Sequence, residues 1–149
     1  SASATDRQNI DEARQLVASG SNDFQKGNFE EALQKAKSSV KAYELPDGYA
    51  LIGASYYQLG DYENAKLSYE KGNNLDPKDE KILIGLGTVQ STLGENEAAL
   101  KSYQTLSSLK PNESVYKYKV GIILKNLKRY DESYITLQAL DGDKEFAYQ

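Results

Sequence analysis

The chain holds 149 residues with a net charge of −4, a pI near 5.0, and no Cys, His, Met or Trp. Those absences exclude thiol nucleophiles, disulfides, Ser-His-Asp and Cys-His catalysis, and zinc sites of the Cys/His type. The mild acidic balance lacks the clustered Lys and Arg of a nucleic-acid footprint. An apolar share of 39% predicts a core built economically from Ala, Leu, Ile and Tyr.

The chain opens Ser1-Ala2-Ser3-Ala4 without Met, which predicts removal of a segment upstream; residues 1–4 are expected to be disordered. Thr5 and Gln8 stand at capping-box spacing, so a first helix is expected from near Asp6. Beyond it a fixed period appears. Gly20, Gly53, Gly87 and Gly121 lie 33, 34 and 34 residues apart. Gly27, Gly60, Gly94 and Lys128 repeat those spacings, as do Phe29, Tyr62, Asn96 and Tyr130. Ala32, Ala65, Ala99 and Ser133 form a fourth column, and Ala36, Tyr69, Tyr103 and Leu137 a fifth.

Each period reads as two helices. In the first unit Asn28 precedes Glu31 by three, a capping-box-like start for the second helix. In the second unit Tyr49, Ile52, Tyr56 and Leu59 recur at helical spacing before Gly60, and Asp61 supplies a cap for a helix ending near Asn74. Leu75-Asp76-Pro77 then makes the turn, because proline cannot continue a helix. The third unit repeats this with Leu83, Leu86, Val89 and Leu93 before Gly94. In the fourth, helices are expected over roughly Glu113 to Leu127 and Arg129 to Leu140. Mid-helix glycine costs roughly 1 kcal/mol against alanine, so four in register imply close approach of a neighbouring helix. Ser133 and Lys128 replace the small residues of their columns, which predicts the loosest crossing in the fourth unit.

These columns resemble the tetratricopeptide repeat family, a 34-residue helix-turn-helix unit with small residues, Tyr and a closing Pro. The segment Pro46 to Asp79 fits best, with Gly53, Tyr56, Gly60, Tyr62, Ala65, Tyr69 and Pro77 in place. The resemblance implies an all-α, right-handed α-solenoid of four such repeats, about 13–45, 46–79, 80–113 and 114–147. Residues 1–149 then make a single repeat domain, with 141–149 a partial cap or the start of a further helix.

The resemblance also implies a function: a protein-interaction scaffold whose first helices line a concave groove for a partner peptide or helix. The lining maps onto Arg14, Val17, Ser21, Phe24 and Gln25, then onto Asp47, Ala50, Leu51, Ala54 and Tyr57. Lys81, Ile84 and Thr88 follow from the third repeat, and Tyr118, Lys119, Ile122 and Lys125 from the fourth. An idle groove would be polar, yet Val17, Phe24, Leu51, Tyr57, Ile84, Tyr118 and Ile122 form an apolar and aromatic strip, the mark of a contact site. Packing among the strip residues themselves is the competing explanation.

Co-chaperone repeats that grip the C-terminus of Hsp70 or Hsp90 use a clamp of Lys, Asn, Asn, Lys and Arg. Val17, Ser21, Leu51, Lys81 and Gly85 stand at the matching positions, and one repeat along stand Ala50, Ala54, Gly85, Val115 and Lys119. One lysine lacks the cooperating donors that make such a site strong, so the clamp type is not expected. The alternative is a structural subunit that self-associates through its repeat ends, with Leu137, Leu140, Phe146 and Tyr148 as end-face contacts.

No catalytic, cofactor or metal residues are assigned. Glu30-Glu31 and Asp79-Glu80 are adjacent carboxylates, which diverge on a helix and complement the dipole at its start. Gly85-x-Gly87 lacks the third glycine of a dinucleotide fingerprint and follows no strand. The longest apolar stretch, Ile82 to Gly87, falls far short of the ~20 residues of a membrane span. A protein or peptide partner is expected, without nucleic acid and without membrane insertion of this segment.

Overall fold

The computed structural model describes residues 3–140, and every secondary element among them is helical. The described residues group into two compact units, the division falling between Gly85 and Leu86 inside one helix. The first unit holds α1 (Ala4–Gln25), α2 (Phe29–Ala42), α3 (Pro46–Gln58), α4 (Tyr62–Leu75) and the start of α5 (Glu80–Thr92). The second holds the rest of α5 with α6 (Asn96–Leu109), α7 (Ser114–Asn126) and α8 (Tyr130–Gln138).

Helix α1 begins earlier than its pattern predicts. Ser3 is the N-cap, its hydroxyl accepting from the Asp6 N–H at 3.0 Å while the Asp6 carboxylate faces the Ser3 N–H at 3.4 Å. The capping box is therefore Ser3–Asp6 and not Thr5–Gln8, and Ser3 and Ala4 belong to the ordered chain. Asn28 is the N-cap of α2 but makes no side-chain cap bond, so the capping box expected with Glu31 does not form. Asp61 does cap α4, accepting from the Asn64 N–H at 3.2 Å. Pro46 opens α3 at its first turn, where its missing N–H leaves nothing unsatisfied.

The first helix of every pair stops in the same way. Gly27, Gly60, Gly94 and Lys128 take φ values of 83°, 83°, 77° and 63°. Each donates three residues back, and the residue after it donates five back, as in Asn28 to Asp23 and Arg129 to Leu124 at 2.8 and 2.9 Å. This double bond pattern is a Schellman motif. Lys128 holds it with a Cβ that this conformation normally excludes.

Packing within the pairs follows the glycine columns. A Cβ on Gly53 would meet the Tyr69 ring at 2.8 Å, and one on Gly87 the Tyr103 ring at 2.8 Å. At Gly20 it would meet the Ala32 carbonyl at 3.3 Å, and at Gly121 the Leu137 side chain. Ala32, Ala65 and Ala99 are wholly buried. Ser133, in the same column, is buried too, and its hydroxyl donates to the Gly121 carbonyl at 2.7 Å. The hydroxyl that replaces alanine thus gains a partner across the α7–α8 crossing.

Leu33, Ala36, Tyr49, Leu51 and Ile52 form a buried cluster in the first unit, with Val17, Phe24, Val40 and Tyr56 against it. Ser39 ties α2 to α1 by donating to the Ala13 carbonyl at 2.8 Å. In the second unit Val89, Leu100, Leu106, Val120, Ile123 and Leu124 are buried, and the Gln90 amide and Ser102 hydroxyl are hydrogen-bonded at 2.7 Å.

Candidate functional site

In the first unit α1, α3 and the start of α5 enclose a groove of about 200 Å³. Val17, Ser21, Phe24 and Gln25 line it from α1, Asp47, Ala50, Leu51 and Ala54 from α3, and Lys81 from α5. On α1 the residues Val17, Ser21 and Phe24 are spaced by four and three, so one helical face supplies them. The spacing of Asp47, Ala50, Leu51 and Ala54 does the same on α3. All nine belong to the lining mapped from the sequence.

The walls are not equally exposed. Phe24 is half-buried and packs edge-on against Phe29, ring centroids 5.0 Å apart. Leu51 is only 8% exposed and sits in the core cluster, one methyl beside Gly20. It is a floor residue and not an exposed anchor, because α1 has no side chain at Gly20 and Leu51 fills that space. Arg14 is exposed, Ala54 and Tyr57 are half-buried, and Ile84 is 38% exposed. Tyr57 packs on Tyr62 at 5.1 Å between centroids. At the rim Lys81 Nζ lies 3.5 Å from the Asp47 carboxylate with both side chains largely exposed, a pair worth at most about 1 kcal/mol.

The ring of Tyr69, from α4, lies between Gly53 of α3 and Gly85 of α5, and a Cβ on either would collide with it. Burial, and then the neighbouring Tyr57, push its phenol up to about 12, so this hydroxyl stays protonated at neutral pH. In the sequence Tyr69 stands in a repeating column, which does not reveal its approach to α5. The available signal was Gly85, a glycine outside the repeating column.

In the second unit Thr88, Tyr118, Lys119, Ile122 and Lys125 come from α5 and α7. Tyr103 brings two of them together: its hydroxyl is 3.3 Å from the Thr88 hydroxyl, and Lys119 Nζ stands 5.5 Å from its ring centroid. Tyr118 is 42% exposed, Ile122 is half-buried and Lys125 is exposed.

The end-face residues are placed differently from expectation. Leu137 is half-buried against Gly121, filling the space a side chain there would take, and Leu140 is 7% exposed. Both serve the interior of their unit. Phe146 and Tyr148 lie outside the described residues. The apolar side chains that α8 does present are Tyr130, Tyr134 and Ile135, exposed by 59%, 64% and 68%. In the repeat column Tyr134 follows Leu33, Lys66 and Leu100, of which Leu33 and Leu100 are buried.

Among the described residues no group of three or more His, Cys, Asp or Glu side chains could hold a metal ion, and no helix is long and apolar enough to cross a membrane. What the groove offers is apolar area with one acid and one base at its edge.

A tetratricopeptide repeat family model matches residues 46–79 and 80–113. Tetratricopeptide repeat protein 8 of Caenorhabditis elegans is 26% identical over 86 residues, 58% of this chain and 17% of that protein. The chain spans only 8% to 17% of the length of the curated relatives it matches. Among solved structures, MamA of Desulfovibrio magneticus RS-1 superposes with a TM-score of 0.80 at 22% identity, over 91% of this chain and 77% of that one. The first such domain of Spaghetti (RPAP3), bound to the HSP90 peptide SRMEEVD, gives a TM-score of 0.75 at 21% identity, over 80% and 98%. These likenesses carry the fold.

Proposed function

This chain is a tetratricopeptide repeat protein, and we propose that it is a non-catalytic interaction scaffold whose α1–α3–α5 groove holds an extended or helical segment of a partner protein. We read the chain as one array of repeats, about 13–45, 46–79, 80–113 and 114–147. The observation that carries the reading is the groove lining: Val17, Phe24 and Ala54 offer apolar area to a partner side chain above a buried floor of Ala50 and Leu51. Lys81 and Asp47 at the rim offer one charge of each sign. Thr88, Tyr118, Lys119, Ile122 and Lys125 are read as a further contact set belonging to the second unit. Aromatic and apolar anchors with a charged rim are what protein interfaces use.

Ala54→Arg tests the groove, since it fills the space without removing a core side chain. Capture of a partner from lysate should be lost while the melting temperature stays within a few degrees of the parent. Retained capture sinks the groove reading.

We also propose that the groove is not of the carboxylate-clamp type, because Lys81 is the one cation among its lining residues and a carboxylate needs cooperating donors. Titration with the peptide SRMEEVD should give no saturable binding up to about 1 mM. Micromolar binding would place the groove with the clamps after all.

A second reading, self-association, is favoured by the exposure of Tyr130, Tyr134 and Ile135 on α8. Light scattering across a wide concentration range should then show a mass above 16.5 kDa that falls to monomer in a Tyr134→Ser, Ile135→Ser double variant. A steady monomer removes this reading.

A further inference from the structure

The first unit contains a second cavity, about 320 Å³, that shares no lining residue with the groove. Helices α2, α3 and α4 form it. Its apolar surface comes from Val40, Ile52, Tyr56 and Leu67, and Leu67 is 53% exposed. Lys37 and Lys71 are the charged residues that line it, and no carboxylate does.

Three of the polar residues that line the cavity are already engaged. Ser68 donates to the Asn64 carbonyl at 2.8 Å, and the Asn64 amide donates to Asp61 at 2.7 Å. Glu44 accepts from the Tyr49 hydroxyl. Both lysines are exposed; Lys37 Nζ stands 5.3 Å from the Tyr56 ring centroid, which orients it over the apolar wall. Two ammonium groups beside an apolar recess therefore remain to meet something from outside.

The repeat does not require these residues. One repeat along, the positions of Lys37, Tyr56 and Lys71 hold Glu70, Gln90 and Thr105; two along, they hold Gln104, Leu124 and Ala139. Helix packing is met without the lysine pair, so their presence in one place only is not explained by the fold.

We propose that this cavity is a docking site for an acidic segment of a protein. One apolar side chain of the segment seats against Val40, Ile52 and Leu67, and carboxylates on either side of it meet Lys37 and Lys71. Lysine is a compact point charge without the rigid fork that selects phosphate or a bidentate carboxylate, so the apolar side chain supplies the register and the charges supply the choice of sign. Screening follows: the interaction weakens as salt rises.

The test is fluorescence anisotropy with a fluorescein-labelled eight-residue peptide alternating leucine and glutamate, and with its leucine–lysine counterpart, at about 50 mM salt. Saturable binding of the acidic peptide alone is expected. It should weaken about tenfold in the Lys37→Glu, Lys71→Glu double variant and also in Leu67→Asp, with melting temperatures unchanged because these side chains are exposed. Ala54→Arg, which blocks the other groove, should leave it intact. The proposal is overturned by no saturable binding, by equal binding of the two peptides, or by loss in Ala54→Arg and not in the lysine variant. Capture of anionic phospholipid vesicles without binding of the acidic peptide overturns it as well.

Discussion

Lys128 illustrates how a residue type and a backbone position are set by different demands. The Schellman turn requires positive φ where the first helix of each pair ends, and three of the four turns place glycine there. Lys128 accepts the same turn at φ 63°, at a cost of roughly 1–2 kcal/mol for a residue with a Cβ. Glycine there relieves that strain but widens the unfolded ensemble, which offsets part of the gain. Lys128→Gly is therefore expected to stabilise the chain by about 0.5–1 kcal/mol. Urea denaturation reads this directly, and an unchanged or lower midpoint would mean that the lysine side chain contributes elsewhere. Leu51 makes the complementary point. Its place on the groove helix was legible from the register, but its 8% exposure follows from the absent side chain at Gly20.

Helix starts differ in how firmly their caps hold. Asp61 receives the Asn64 N–H and also the Asn64 side-chain amide, at 3.2 and 2.7 Å, whereas Asn28 at the start of α2 makes no side-chain cap bond. The cap bond satisfies one of the orphan donors of the first turn, and its loss costs about 1 kcal/mol. Asp61→Ala should destabilise by about that amount, and Asn28→Ala by clearly less. Equal losses in thermal denaturation would show that the two caps act through something other than the side-chain bond. Helix crossings are governed by a different rule. Alanine normally improves a mid-helix glycine site, but at Gly53 a Cβ would stand 2.8 Å from the Tyr69 ring, so steric overlap outweighs propensity there.

For the whole molecule, the buried phenols tie stability to alkaline pH. Tyr69 is pushed up to about 12 by burial and then by Tyr57, and Tyr49 also to about 12 by burial, then by its hydrogen bond to Glu44 and that residue's charge. Their ordinary value is 10.0. A pKa raised in the folded state leaves its stabilisation fully present below the unfolded value and removes it as pH rises toward the folded one. The melting temperature should hold to about pH 9 and fall between about pH 10 and 12, as the unfolded chain releases phenolic protons that the folded chain retains. A Tyr49→Phe, Tyr69→Phe double variant should show a shallower fall. An identical slope in both proteins would assign the alkaline loss to other groups.

The repeat, the helix pairs, the turns and the glycine crossings were all readable in the sequence, because each depends on residues a fixed few positions apart on one helix or one turn. The expected fourth-repeat helices, Glu113 to Leu127 and Arg129 to Leu140, agree to within two residues with Ser114–Asn126 and Tyr130–Gln138. The shared helical face of the nine residues around the first unit's groove follows for the same reason: position in the repeat assigns a face. Exposure does not, since it depends on what packs against that face. Tertiary packing alone turned Leu51, Leu137 and Leu140 inward and left Tyr130, Tyr134 and Ile135 outward. It also set Lys37 and Lys71, from two different helices, around one apolar cavity, a juxtaposition that no spacing along a single helix encodes.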